Sequence, residues 1–155
     1  MSHGKLLAKC MGLAFLPALS GFVTRPDASY LALQKPPFNP PSWVFAPVWT
    51  TLYAMMGWAH FEYSKTPSRF DKSVGNRLQV MQLLLNGTWS LAFFGLKSPK
   101  LALFNIVLML IAILATMRAF SLVSKRAMWL FVPYLMWVWF ATYLNAGIVV
   151  LNPEA

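Results

Sequence analysis

LALFNIVLMLIAILA, Leu101 to Ala115, holds one polar side chain, Asn105, in fifteen residues. A strand of a membrane barrel would alternate apolar and polar residues over about 10 positions; this run does not alternate and reads as a helix in a hydrocarbon core. Such a core is about 30 Å thick and takes roughly 20 helical residues to cross. With its flanks the run reaches Met117, and four more segments resemble it, at approximately Leu6–Thr24, Trp43–Phe61, Leu78–Leu96 and Ala127–Leu151. The expected fold is all-α and integral to a membrane, a five-transmembrane-helix bundle forming one domain over residues 1–155. Composition points the same way: 58% of the residues are hydrophobic and 11% charged, against about a quarter charged in soluble domains.

Lys5 and Lys9 ahead of the first run resemble a signal peptide, but no A-x-A-like cleavage site leads into a polar mature domain, so it is read as a retained helix. Cys10 is the only cysteine, leaving neither a disulfide framework nor a thiolate metal site. If five helices alternate, Lys5, Lys9, Lys65, Arg69, Lys72, Arg77, Lys125 and Arg126 share one side, with Arg118 near its boundary; Arg25, Lys35, Lys97 and Lys100 share the other. The positive-inside bias then puts the amino terminus in the cytoplasm. The net charge of +9 is loop charge, suited to anionic lipid headgroups, and no basic stripe with stacking aromatics points to nucleic acid.

Most connections are tight, as at LKSPK (Leu96–Lys100), but Arg25–Ser42 is long and ends in a proline strip. Pro fixes φ and restricts the residue before it, so Lys35 to Pro41 is expected to be a stiff, ordered loop between helices one and two. Ser42 is a candidate N-cap for the second helix, or the regular helix begins near Pro47. The strip is either an entry clamp for that helix or a lid over one mouth of the bundle.

Residues three and four apart share a helix face. The second helix aligns Trp49, Tyr53, Met56 and His60; the third Gln79, Gln82, Asn86 and Ser90, leading to Phe93 and Phe94. The fourth aligns Asn105, Met109, Ala112 and Thr116, the fifth Tyr134, Trp137, Ala141 and Asn145; the first offers small residues at Cys10, Ala14, Pro17 or Ala18, and Gly21. Such residues turn inward in lipid. For Gln82, Asn86 and Asn105 helix packing is the simpler account. Trp43 and Trp129, near helix ends, suit an interfacial belt, whereas Trp49, Trp89 and Trp137 lie deeper. An aromatic wall beside small residues describes a site for a large, flat, apolar ligand.

No span carries a Lys, Arg, Asp or Glu in its centre, which disfavours ion transport. Four acids and two histidines in the chain leave no hydrolytic triad, carboxylate pair or metal cluster. His60, beside Glu62 near a helix end, is read as an interfacial polar residue outside the site.

QKPPFNPPSWVFAPVWTTLYAMMG (Gln34–Gly57) resembles the first-loop and second-helix signature of the translocator protein family, also called tryptophan-rich sensory proteins or peripheral-type benzodiazepine receptors. LLLNGTWSLAFFG (Leu83–Gly95) resembles its third helix and VPYLMWVWFATYLN (Val132–Asn145) its fifth. The resemblance implies a pocket that opens toward the first loop and binds porphyrins, with sterol or synthetic benzodiazepine-site ligands in animal members. It also implies that the loop is a lid, that the protein is a homodimer, and that no cofactor is required beyond porphyrin as ligand. By motif, porphyrin contact falls to Trp49 and Trp137, with Ala46, Tyr134, Phe140, Ala141 and Leu144 in the pocket and Pro41 and Trp43 in the lid. Tyr53 and Asn86, from the inward stripes, complete the candidate set.

The expected function is porphyrin binding linked to stress and tetrapyrrole handling. Alternatives are light-driven porphyrin breakdown, with Trp49 and Trp137 as the reactive side chains, and lipid or sterol transport. Asn145 leads into AGIVVLNPEA, without the aromatic and basic tail of animal members, and Phe104 and Asn105 stand where those members tend to have a small residue and an acid. Specific sterol and drug recognition are weakened accordingly, and a bacterial inner membrane is the expected location.

Overall fold

The computed structural model describes all 155 residues and contains helices, turns and connections but no strand. Its helices are α1 (His3–Phe15), α2 (Ala18–Val23), α3 (Ala28–Leu31), α4 (Phe45–Lys65), α5 (Ser73–Ser90), α6 (Pro99–Ser121), α7 (Lys125–Leu130) and α8 (Val132–Leu151). A 3₁₀ turn, Ser42–Val44, leads into α4, and a π turn, Leu91–Gly95, ends α5.

Local chemistry explains the helix ends. Ser2, Asp27, Ser98 and Ser124 cap α1, α3, α6 and α7 by accepting backbone N–H bonds in the first turn, satisfying donors that a helix start leaves free. Pro99 opens α6 at a position where its missing N–H has no consequence. Pro47 sits in the first turn of α4, equally harmless, so the helix begins at Phe45 and Ser42 starts the 3₁₀ turn instead of capping the helix.

Two expected continuous spans are broken. The first divides at Pro17 and the fifth at Phe131, two residues before Pro133; proline removes the backbone donor a continuing helix would use. The second extends four residues beyond Phe61, to Lys65, and the third begins at Ser73. His60 lies more than a turn inside α4, buried, with Nε2 2.9 Å from Asn76 Oδ1 of α5, and stays outside the cavity. It is a buried residue between α4 and α5.

Three stretches are long and apolar enough to cross a membrane: His3–Val23, Pro99–Ser121 and Lys125–Leu151. In α4 and α5, Tyr53, Met56, His60, Gln79, Gln82 and Asn86 are all buried, so their polar groups face neighbouring helices. α1 lies close along α4 because Gly57 has no side chain; a β-carbon there would sit 3.1 Å from the Met11 α-carbon.

Side-chain contacts define two ends. At one, His3 meets Phe61, Tyr63 stacks on Phe120 at 4.2 Å, and buried Glu62 lies 3.0 Å from Lys65 Nζ and 3.9 Å from Arg126. At the other, the first loop meets the chain's last residues. Gln34 N–H donates to Asn152 Oδ1 (3.0 Å), Asn152 Nδ2 donates to the Gln34 carbonyl (2.8 Å), Tyr143 donates to the Pro37 carbonyl (2.8 Å), and Lys97 pairs with Asp27 at 3.1 Å.

Candidate functional site

Beneath the first loop lies a cavity of about 440 Å³, within the usual range of ligand pockets. Phe15 and Ala18 line it from α1 and α2, Phe45, Ala46, Trp49 and Tyr53 from α4, and Asn86 and Trp89 from α5. Ile106 and Met109 of α6 and Trp137, Ala141 and Leu144 of α8 close it, with Pro26, Tyr30 and Asn39 at the loop end. No carboxylate, amine, imidazole or thiol lines it.

Aromatic contacts fix the walls. Trp49 stacks on Tyr53, centroids 5.5 Å apart, and meets Trp137 at 6.5 Å with the rings almost perpendicular, at 88°. Phe45 and Phe140 bracket Trp137 at 5.9 and 5.7 Å. Edge-to-face and offset contacts of this kind are the favoured aromatic geometries. The Trp137 indole N–H is buried and meets no acceptor in the protein, whereas Trp89 Nε1 donates to Asn145 Oδ1 at 3.0 Å.

The opposite wall owes its shape to the π turn, which bonds Leu96 N–H to the Leu91 carbonyl at 2.8 Å. Single π turns mark functional sites in many helices. Here the turn gathers Phe93 and Phe94 with Trp89 and with Tyr30 of the loop, at centroid distances of 4.8 to 5.9 Å. Burial raises the Tyr30 phenol above its ordinary pKa, with Asn39 opposing, so Tyr30 keeps its proton.

Below the cavity, buried polar side chains form one connected file. Tyr53 Oη donates to Asn86 Oδ1 (3.0 Å), Asn86 Nδ2 to Tyr134 Oη (2.9 Å), Tyr134 Oη to Gln82 Oε1 (2.7 Å) and Gln82 Nε2 to Gln79 Oε1 (3.0 Å). Shared hydrogen bonds of this kind hold their members in one arrangement; at the far end of the file Gln79 Nε2 is buried without a partner.

A sequence model described as the TspO/MBR family matches residues 7–151 of the chain. The chain belongs to the TspO/MBR family. It is 46% identical to the "Tryptophan-rich protein TspO" of Chlorobaculum tepidum over 151 residues, covering 95% of this chain and 96% of that one. It is 39% identical to the bovine "Translocator protein", over 87% of this chain and 85% of that one. Identity to the "Tryptophan-rich sensory protein" of Cereibacter sphaeroides is also 39%, over 90% of this chain and 88% of the other.

In this TspO/MBR chain Ala46, Trp49, Tyr53, Asn86, Trp137, Ala141 and Leu144 all line the cavity. Four other sequence candidates do not. Pro41 and Trp43 are exposed at the start of the 3₁₀ turn, Trp43 74% so. Tyr134 is wholly buried in the polar file, and Phe140 flanks Trp137 without reaching the cavity. Phe15, Trp89, Phe93 and Asn145 are lining residues absent from the sequence-derived set. Trp89, Phe93 and Asn145 already stood on or beside the inward stripes.

Proposed function

We propose that the protein is a membrane-embedded binding protein for porphyrins, linked to stress and tetrapyrrole handling. The carrying observation is the crossed Trp49–Trp137 pair in an uncharged cavity. Flat aromatic ligands bind through such faces and edges, and the absence of acid, base and thiol from the walls favours holding a ligand over hydrolysing it.

In this reading one domain crosses the membrane five times, as α1–α2, α4, α5, α6 and α7–α8. α4 and α5 cross despite their polar residues because Tyr53, Gln82 and Asn86 bond one another and Tyr134 inside the bundle. The proline-rich first loop is an ordered lid, supported by its bonds to Tyr143 and Asn152. Lys5, Lys9, Lys65, Arg69, Lys72, Arg77, Arg118, Lys125 and Arg126 fall toward the end opposite the lid, which supports a cytoplasmic amino terminus by the positive-inside bias; a bacterial inner membrane is the location proposed with it.

The test is a dark titration of protein in nanodiscs with protoporphyrin IX, following tryptophan fluorescence, for the wild type and the Trp49→Phe, Trp137→Phe double variant. Saturable binding that the double variant loses is expected. Non-saturable quenching equal in both proteins would mean that porphyrin only partitions into lipid, and would defeat the reading.

A further inference from the structure

Tyr53 is where the cavity meets the polar interior of the bundle, and its hydroxyl proton already has a fixed destination. That destination is set one helical turn away, at Met56. A thioether sulfur accepts hydrogen bonds and has none to donate. Gln82 Nε2 donates to Gln79 Oε1 at 3.0 Å and lies 3.6 Å from Met56 Sδ. The Gln79 amide, whose own Nε2 has no partner, could present either end, but the thioether cannot, so the Gln82 amide points its nitrogen toward Met56 and its oxygen toward Tyr134. Tyr134 Oη donates to that oxygen at 2.7 Å and has a second thioether, Met109 Sδ, 3.5 Å away. With its one proton so directed, the Tyr134 oxygen accepts from Asn86 Nδ2 at 2.9 Å. Asn86 Oδ1 is then the acceptor for Tyr53, at 3.0 Å. Reversing the file would turn the Gln82 carbonyl toward Met56, setting two acceptors face to face.

We propose that Tyr53 determines ligand specificity by offering the cavity lone pairs only. The site then prefers flat ligands that carry an N–H or O–H donor at the depth of Tyr53 over equally flat ligands that carry an acceptor there. This rests on the reading of the cavity as a site for flat aromatic ligands and adds its hydrogen-bond polarity. Met56 is a positioning residue: it is fully buried and absent from the cavity wall, and it acts through Gln82, Tyr134 and Asn86.

Carbazole and 9-fluorenone test this directly, because they share a tricyclic outline while one carries a ring N–H and the other a carbonyl. Each is titrated into nanodisc-embedded wild type, Tyr53→Phe and Met56→Leu, following tryptophan fluorescence, and the ratio of the two affinities is compared between proteins. Partitioning into lipid is common to all three proteins and drops out of the comparison. The wild-type ratio is expected to favour carbazole by about tenfold relative to Tyr53→Phe, the scale of one buried hydrogen bond against an unpaired acceptor. Met56→Leu, a volume-conserving change, should move the ratio toward the Tyr53→Phe value while leaving the cavity wall intact, and carries the comparison alone if Tyr53→Phe does not fold. Equal ratios in wild type and Tyr53→Phe would overturn the role of Tyr53, and a Met56→Leu ratio equal to wild type would overturn the role of Met56. Saturable binding of both probes without discrimination would sink the polarity and spare the cavity. Binding of neither to the wild type would remove the cavity reading and this inference with it.

Discussion

Pro36 of the first loop rests on Gly147 of α8 so closely that a β-carbon at position 147 would lie 2.6 Å from two carbons of the proline ring. A rigid ring has no way to swing aside. Gly147→Ala is therefore predicted to push the loop off the bundle even though alanine favours the helix by up to about 1 kcal/mol. Helix content and melting temperature should hold or rise while residues 25–42 exchange amide hydrogens faster and, under the proposed function, porphyrin leaves sooner. Unchanged exchange in that segment would count against a loop seated by this contact.

Tyr134→Phe keeps the buried ring and removes the hydroxyl that joins Gln82 to Asn86. Stranding a buried acceptor and a buried donor is expected to lower stability by about 1–3 kcal/mol, seen as a lower unfolding midpoint in detergent. Phe140→Leu, at a residue that contacts Trp137 and Tyr143 by its ring and joins no buried hydrogen bond, should lose less.

Gly57 and Gly87 are predicted to differ in what they tolerate. A β-carbon at Gly87 would meet nothing nearer than 3.7 Å, whereas at Gly57 it would lie 3.1 Å from the Met11 backbone. Gly87→Ala should be neutral or slightly stabilising, and Gly57→Val should destabilise by about 1–3 kcal/mol through overpacking. Thermal unfolding of the two variants side by side checks the contrast.

Asp27 caps α3 and pairs with Lys97. The Ser29 hydroxyl, followed by Lys97 and the Tyr30 N–H, holds its carboxyl well below the ordinary value of 3.8. A carboxylate with a folded pKa below its unfolded one stabilises above the unfolded value and loses that contribution as pH falls through the folded one. Under the proposed function, porphyrin retention should thus show no step from Asp27 between about pH 5 and 8. Asp27→Asn should weaken retention across that whole window. A wild-type step centred near pH 6 would assign the loop's pH dependence elsewhere.

The helical period carries most of what the sequence discloses. Tyr53, Met56 and His60 face Gln79, Gln82 and Asn86 as the spacing of three and four requires, and all six are buried. What the period does not carry is which polar group meets which. Tyr134 shares a stripe with Trp137, yet only Trp137 reaches the cavity, because the Tyr134 hydroxyl is held beneath it by Gln82 and Asn86. Phe15 escapes notice because it faces the cavity from a helix whose other inward residues are small. Phe93 and Phe94 are visible as a pair, but a π turn gives no sequence signal of its own, so their meeting with Tyr30 across the loop is a product of tertiary structure.

The bonds between Gln34 and Asn152 join positions 118 residues apart. A ribosome therefore delivers the loop long before it delivers the residue that fastens it. Until α8 is in place the growing chain lacks the Trp137 wall of the cavity, and until Asn152 has emerged the loop above it is unlatched. Asn152 and α8 thus complete an enclosure that the first loop begins.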